Sequence, residues 1–144
     1  MDRWKYSPPY PRNVRAERRD TPFHRERDDL RHCIDLAMRA GTPILASRDG
    51  IVVMRESRFA KNYGDKRFAD RCNVVIIRHA DGEESVYAHL AWRSVRVRRG
   101  QRVRRGQRIG LCGQTGYSTY PHLHFGVYDR RGRNLPVIFR RRND

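Results

Sequence analysis

The sequence predicts an all-β domain: an antiparallel β-sandwich or small open barrel of short strands, with few or no helices. Runs of apolar and β-branched residues such as Ile51–Met54 and Val74–Ile77 are short and recur at close spacing. Gly, Pro and Asp-Gly pairs stand between these runs. No stretch has the apolar periodicity of a long helix. Many short strands separated by turns are typical of sandwiches and small barrels.

The length of 144 residues suits one domain with a single core. We expect the domain to span residues 23–140, after an arm rich in Pro and Arg over 1–22 and before a basic tail over 141–144. The arm has no periodicity, which favours an extended or disordered chain on the domain surface. No apolar run approaches the ~20 residues of a membrane span, and no signal peptide is visible in this sequence.

The expected strands are apolar runs bounded by Gly, Pro, Asp or charged residues. They cover residues 33–38, 44–46, 51–55, 73–78, 84–90, 109–112, 123–128 and 135–139. Asp49-Gly50 and Asp81-Gly82 are expected to be hairpin turns. Residues 56–71 are polar and basic, which predicts a loop over one end of the fold.

One hexapeptide occurs twice in succession. Val97–Arg102 is repeated letter for letter as Val103–Arg108. Two copies are too few for a solenoid. The repeat predicts two Gly turns flanking short strands, with Val97, Val103 and Ile109 pointing into the core.

The chain is strongly basic: 32 Lys and Arg against 16 Asp and Glu give a net charge of +16. Such a charge implies anionic surroundings, either nucleic acid, acidic lipid or anionic cell-wall polymer. Most of the charge is Arg, concentrated in two segments. They comprise Arg96, Arg98, Arg99, Arg102, Arg104, Arg105 and Arg108, and then Arg130, Arg131, Arg133 and Arg140 to Arg142.

The three cysteines, Cys33, Cys72 and Cys112, are an odd number at no metal-finger spacing. We interpret them as small buried hydrophobic residues. One disulfide with a free thiol is the alternative.

A His-x-His pattern, His122-Leu123-His124, overlaps the start of the expected strand at 123–128. Residues two apart on a strand point to the same face, so His122 and His124 project side by side while Leu123 and Phe125 point the other way. One imidazole can hold a metal while the other handles protons. The alternative is a pair of ordinary strand histidines that alternate with core residues.

Two further residues can complete such a site, because a catalytic metal centre needs about three protein ligands and an open position. Asp35 lies in an otherwise apolar strand, where a carboxylate is costly unless it is paired or metal-bound. His89 ends the expected strand at 84–90 and can converge from the neighbouring hairpin. The alternatives are an exposed strand Asp and a structural His.

Several motifs occur together in one order. They are Gly-Thr-Pro, Asp-Gly-Ile-Val-Val, Asn-Val-Val-Ile-Ile-Arg-His, Tyr-Ala-His-Leu, Val-x-x-Gly-Gln-x-Ile-Gly, Gly-x-Thr-Gly-Tyr-Ser-Thr and Pro-His-Leu-His-Phe. Over residues 24–139 the chain resembles the lysostaphin-type (LytM-like) zinc endopeptidases, which cut peptide bonds in bacterial peptidoglycan. The resemblance implies a fold related to the barrel-sandwich hybrid and one bound Zn²⁺.

The resemblance also implies roles for single residues. Asp35 and His124 match metal ligands, and His89 and His122 match the histidines that assist catalysis. Tyr120 stands where the family usually has Gly, so we expect it to line the cleft and contact substrate.

The remaining ligand departs from the family pattern. The family's His lies four residues before the Asp, where this chain has Arg31, which cannot coordinate a metal. His24 and His32 are the candidates. We favour His24, because a loop over 25–31 can return it to the metal, whereas the odd offset of His32 from Asp35 puts the two on opposite faces of a strand. His32 stays the alternative ligand.

The implied function is zinc-dependent hydrolysis of peptidoglycan stem peptides or cross-links, by metal-activated water with His89 or His122 as base. One alternative is a catalytically silent domain of this fold that binds cell wall or activates another wall hydrolase; a second is a basic nucleic-acid-binding β-domain. A lipoyl-type carrier is disfavoured, since no lysine stands at a hairpin tip.

The expected partner is peptidoglycan, with anionic wall polymers or outer-membrane lipid bound through the Arg-rich surface. We expect no specific nucleic acid and a monomeric protein. We also expect action on the cell wall, in the periplasm, outside the cell or by phage delivery.

Overall fold

The computed structural model describes residues 5–19, 21–60, 72–115 and 120–141. Within them lie ten β-strands, a four-residue α-helix and one 3₁₀ turn, which confirms the all-β prediction. The elements are β1 (Glu17–Arg19), α1 (Pro22–Arg25), the 3₁₀ turn (Asp28–Leu30), β2 (Ile34–Ala37), β3 (Pro43–Leu45), β4 (Gly50–Glu56), β5 (Asn73–Arg78), β6 (Glu84–Leu90), β7 (Arg102–Val103), β8 (Arg108–Leu111), β9 (His122–Tyr128) and β10 (Asn134–Leu135). The expected loop at 56–71 lies outside the described residues from 61 on. None of the described helices is long and apolar enough to cross a bilayer.

The strands form two antiparallel sheets. The larger sheet has the order β1-β2-β9-β6-β5-β4-β7, with β10 also paired to β9, and the smaller sheet pairs β3 with β8. Strand β9 therefore lies in the interior of the large sheet, between β2 and β6. This topology brings three distant parts of the chain side by side.

The register between β2 and β9 fixes which side chains share a face. Asp35 lies opposite His124, and Ala37 lies opposite His122. Residues directly opposite each other in an antiparallel pair point to the same side of the sheet. Asp35 therefore projects from the same face as the two histidines of β9.

The other face of β9 carries the core. Leu123, Phe125 and Val127 are fully buried there, together with residues of β2, β4, β5 and β6. Burial of a side chain of this size contributes about 1.5–3 kcal/mol. The alternation of histidine and apolar residues along β9 thus separates a functional face from a packed face.

Residues expected to form the arm contribute to this core. Tyr6 is only 4% exposed, and its ring meets that of Phe125 edge to face at 6.4 Å. The Lys5 ammonium pairs with Asp81 at 2.9 Å and with Glu83 at 3.0 Å. Further along, β1 adds to the sheet as the neighbour of β2.

The predicted hairpin at Asp49-Gly50 is wrong. β3 pairs with β8, whereas β4 pairs with β5 and β7. Gly50 begins β4 at a point of close approach, since a Cβ there would overlap the carbonyl of Arg78. Glycine is needed here because a side chain would not fit, and not because the chain makes a two-residue turn. The sequence alone does not distinguish these two reasons.

The turn between β5 and β6 does contain Asp81-Gly82, as predicted, with Gly82 at a φ of 87°. In the repeat, Gly100 and Gly106 have φ values of 89° and 86°. Val97, Val103 and Ile109 are all buried, as expected. The final strand is shorter than predicted: β10 ends at Leu135, and Val137 and Phe139 pack against the core outside any strand.

Candidate metal centre

Two imidazoles and one carboxylate meet on the face of the large sheet that points away from the core cluster. His24, Asp35 and His124 each offer a ligand atom, and these atoms lie within 4.8 Å of one another. The His24 Nε2 lies 3.4 Å from one oxygen of Asp35, and the His124 Nδ1 lies 3.1 Å from the other. This set of donors can hold a divalent metal ion.

The carboxylate at the centre of the cluster is deeply buried, at 3% exposure. Burial alone would raise the pKa of Asp35, but its hydrogen bond with His124 and the neighbouring imidazoles outweigh burial and lower it. Thr21 adds a hydroxyl hydrogen bond to the other oxygen. Asp35 is therefore an anion that is held in place from both sides, and it favours a cation beside it.

His124 carries the reciprocal shift. Burial alone would lower the pKa of His124, but the hydrogen bond with the Asp35 carboxylate outweighs burial and raises it. A metal ion bound at this nitrogen would take the place of the proton.

His24 reaches the cluster from α1, which follows Thr21 directly. The helix positions it through a single turn, in which the His24 N–H donates to the Thr21 carbonyl at 2.9 Å. The imidazole is 7% exposed, and its ring donates to the backbone carbonyl of Cys33. Burial lowers the pKa of His24, which leaves its ring neutral and able to coordinate.

The two other residues considered for this position point elsewhere. His32 is exposed, and its backbone N–H donates to the Asn134 side chain at 2.6 Å. Arg31 is also exposed, and its guanidinium pairs with Asp28 at 2.8 Å. The structure therefore brings His24, and not His32, to Asp35 and His124.

Cys33 lies behind the cluster and touches two of its members. Its carbonyl accepts from His24, and its thiol is a hydrogen-bond partner of His124. The thiol also lies 3.4 Å from the Tyr128 hydroxyl. Cys33 is buried, as the sequence predicts, but its contacts with the cluster are not predictable from the sequence. Such outer contacts orient the residues that hold a metal.

His122 stands beside the cluster with one nitrogen already engaged. Its Nδ1–H donates to the Tyr120 carbonyl at 2.9 Å. A carbonyl only accepts, so the proton of the neutral ring is on Nδ1 and Nε2 carries none. This Nε2 lies 3.6 Å from Asp35. Burial lowers the pKa of His122, so the ring is a neutral proton acceptor next to the cluster.

His89 joins this face through an unusual backbone conformation. Its neighbour Tyr87 points into the core, and strict alternation along β6 would send His89 the same way. The φ of His89 is 65°, in the left-handed region, and the β5–β6 register shifts at this end of the strand. This local strain turns the imidazole towards β9, where its ring centre lies 4.6 Å from that of His122.

The tautomer of His89 is fixed in the same way as that of His122. Its Nδ1–H donates to the Thr115 carbonyl at 2.6 Å. Burial, more than the neighbouring imidazole of His122, lowers the pKa of His89. The site therefore has two neutral imidazoles, each with an unprotonated Nε2.

Tyr120 covers one side of the site. Its ring centre lies 4.5 Å from that of His122, and the two rings are tilted by 31° to each other. Burial raises the pKa of the Tyr120 phenol, which keeps it neutral. The position is compatible with the expected place on the wall of a cleft.

Sequence reasoning missed three contributors to the site: Thr21, Cys33 and Thr115. Thr115 belongs to the Gly-x-Thr-Gly motif, and its hydroxyl donates to the Leu90 carbonyl at 2.9 Å. The motif was a usable signal for its role. Thr21 and Cys33 carried none, because each acts through a contact that only the folded chain creates.

Comparison with known proteins gives one family. The family described as Peptidase family M23 matches residues 30–136. DD-carboxypeptidase/endopeptidase Mpg of Neisseria meningitidis is 41% identical over 107 residues, which cover 72% of this chain and 20% of that protein. Peptidoglycan DD-endopeptidase ShyA of Vibrio cholerae is 45% identical over 97 residues, which cover 67% of this chain and 20% of that protein. The chain thus spans about a fifth of the length of these relatives.

Solved structures give the same result. A zinc-containing peptidase from Vibrio cholerae superimposes with a TM-score of 0.64 at 28% identity, covering 91% of this chain and 38% of that one. The catalytic domain of lysostaphin from Staphylococcus simulans superimposes with a TM-score of 0.60 at 28% identity, covering 92% and 85%. The predicted resemblance is confirmed.

Proposed function

The chain belongs to Peptidase family M23, and from that premise we propose that it is a zinc-dependent endopeptidase that hydrolyses peptide bonds in the stem peptides or cross-links of bacterial peptidoglycan. The observation that carries this proposal is a metal-binding cluster with two neutral imidazoles beside it. Relatives that share the domain are described as peptidoglycan DD-endopeptidases. We infer the same class of substrate for this chain.

One Zn²⁺ fits the cluster of His24, Asp35 and His124. Two imidazoles and a carboxylate are a ligand set that zinc enzymes use, with a further position left for water. The His24 Nε2 lies 3.4 Å from one Asp35 oxygen and the His124 Nδ1 lies 3.1 Å from the other, and the three candidate ligand atoms lie within 4.8 Å of one another. The three side chains are therefore close enough to hold one ion between them.

When bound, the zinc ion would polarise the scissile carbonyl and lower the pKa of a coordinated water. The protein's own contribution is proton transfer. His122 is the first candidate for the base, because its unprotonated Nε2 lies 3.6 Å from the carboxylate of the cluster. Once protonated, the same imidazole can donate the proton to the leaving amine.

We assign His89 a supporting role in catalysis. Its ring is 4.6 Å from His122 and 5.9 Å from His124, so it borders the place where the peptide bond must lie. In the neutral tautomer its Nε2 only accepts, so we infer that His89 accepts a hydrogen bond from the attacking water and orients it, while His122 carries the proton.

The catalytically silent domain is the competing proposal, and the site geometry argues against it. A silent domain has no need to keep three metal-binding side chains together with two strained or buried histidines. The nucleic-acid proposal rests on the net charge alone, because the aromatic residues Tyr87 and Phe125 are buried in the core and offer no stacking surface.

We also propose that the basic surface of the repeat holds the enzyme on anionic wall polymer or outer-membrane lipid, and that the protein acts outside the cytoplasm. The exposed guanidinium groups there belong to Arg96, Arg98, Arg99, Arg102 and Arg104. Binding to isolated cell walls should weaken steeply between 50 mM and 500 mM salt, because such attraction is screened. A flat response to salt would contradict the proposal.

Digestion of purified peptidoglycan tests the proposed function. We expect new peptide termini, identified by mass spectrometry, in the presence of zinc and none after treatment with a chelator. Addition of zinc should restore cleavage. Cleavage that survives complete removal of metal, or an intact wall with metal-loaded protein, would contradict the proposal.

A further inference from the structure

We propose that Arg19 forms a carboxylate-binding subsite at the edge of the cleft and so selects substrates with a free carboxylate near the bond that is cut. The inference rests on the proposed peptidase function, whose site it extends. It assigns to the N-terminal strand β1 a part in substrate recognition.

The register of the sheet places Arg19 on the functional face. β1 pairs with β2, and Arg19 lies directly opposite Asp35. Opposite residues of an antiparallel pair share a face, so the Arg19 side chain projects on the same side as the metal cluster. Its neighbour Arg18 lies opposite Leu36 and projects from the other face.

A stack of side chains connects Arg19 to the proton carrier of the site. The Arg19 guanidinium lies over the Tyr120 ring at 5.2 Å from its centre, and the Tyr120 ring lies 4.5 Å from His122. A guanidinium over an aromatic face is held in orientation while its N–H groups still point outward. Arg19 is therefore a positioned cation at the rim and not a freely moving side chain.

The positive charge of Arg19 is open to an incoming anion. Its side chain is 50% exposed, and its pair with Glu17 is loose, at 3.5 Å with Glu17 71% exposed. Exposed pairs of this kind contribute little. The carboxylate of Asp35 does not compete, because Thr21, His24 and His124 surround it.

The substrate supplies the matching chemistry. Peptidoglycan stem peptides carry free carboxylates on the residues that flank their cross-links, and a guanidinium binds a carboxylate through two parallel hydrogen bonds. A carboxylate held at Arg19 would be connected to His122 through the Tyr120 ring. This contact would orient the peptide as it approaches the site.

The test combines a change at Arg19 with a change in the carboxylates of the substrate, separately and together. Michaelis parameters are measured for a cross-linked stem-peptide dimer with free carboxylates and for the same dimer with those carboxylates converted to amides. The proteins are the parent chain, Arg19→Gln and, as a matched control, Arg18→Gln. For Arg19→Gln we expect KM to rise about tenfold on the carboxylate form, with kcat retained and no change on the amide. The Arg18→Gln variant should match the parent on both.

Equal losses on the carboxylate and the amide, or no loss on either, would overturn the subsite. Titration calorimetry with the uncleaved monomeric stem peptide separates this result from the fate of the proposed function. The parent chain could cut neither dimer and still bind the carboxylate peptide more tightly than the amide, with that difference lost in Arg19→Gln. In that case the subsite stands and the peptidase proposal fails. If the parent cuts both dimers equally well, the peptidase proposal stands and the subsite fails.

Discussion

Replacement of Gly126 by Ala probes the register that builds the metal centre. Phe125 of β9 lies opposite Ile34 of β2. The next residue of β9, Gly126, therefore faces Cys33, which contacts His24 and His124. A Cβ added at Gly126 would lie 2.5 Å from the Cys33 sulfur. The sulfur cannot turn away freely, because Tyr128 and Asn134 contact it at 3.4 Å and 3.6 Å.

The size of the effect follows from this overlap. Forcing an extra methyl group into a packed interior costs about 1–3 kcal/mol. In a chain of 144 residues we expect Gly126→Ala to lower the melting temperature by about 3–10 °C. In a Cys33→Ala background the sulfur is gone, and the same change should cost less than about 0.5 kcal/mol. Ala can even be favourable there, because it restricts the unfolded chain more than Gly does.

Urea unfolding of the parent, the two single variants and the double variant measures this coupling. We expect the loss of unfolding free energy in the double variant to be smaller than the sum of the two single losses by at least about 1 kcal/mol. Additive losses would mean that residues 33 and 126 do not meet. The β2–β9 register, and with it the contact of Asp35 with His124, would then be wrong.

Two further predictions concern histidines. His122→Ala should retain bound metal and lose peptidoglycan cleavage by about 10²–10⁴-fold, measured by metal analysis and by released peptides; parent-like cleavage would remove His122 from the mechanism. His79 is buried, with its Nδ1–H donating to the Asp49 carbonyl at 2.7 Å and its Nε2 accepting from Ser85 at 2.9 Å. Burial lowers the pKa of His79 below its ordinary 6.5. The unfolded chain therefore binds a proton at this residue at a higher pH than the folded chain does. The free energy of unfolding falls as the pH drops below about 6.5, by up to about 1.4 kcal/mol per pH unit. In urea unfolding between pH 8 and pH 5, the stability difference between the parent and His79→Gln should narrow as pH falls; a constant difference would contradict this assignment.

Much of the fold could be predicted from the sequence because alternation and turn residues act locally. The strands at 73–78 and 84–90 and the Gly turns of the repeat have the predicted positions. The order in which strands pair is not local. Asp49-Gly50 looks like a hairpin in the sequence, yet β3 pairs with β8, whose residues lie 63 to 68 positions further along the chain.

The site was predictable where its residues follow strand alternation and less so elsewhere. His122, His124 and Asp35 share a face because each lies on a strand of the same sheet. His89 reaches the site only through a left-handed backbone, which no pattern of residue types indicates. The burial of Tyr6 and the pairing of β1 with β2 were missed for another reason, since a segment rich in Pro and Arg carries no periodicity.

Metal content of two histidine variants tests the central claim most directly. His24→Ala and His32→Ala are purified in parallel without chelator, and zinc per chain is measured by elemental analysis. We expect the His32 variant to keep about one zinc per chain, because its side chain is exposed away from the cluster, and the His24 variant to lose most of it. Zinc retained without His24 and lost without His32 would contradict a metal centre formed by His24, Asp35 and His124.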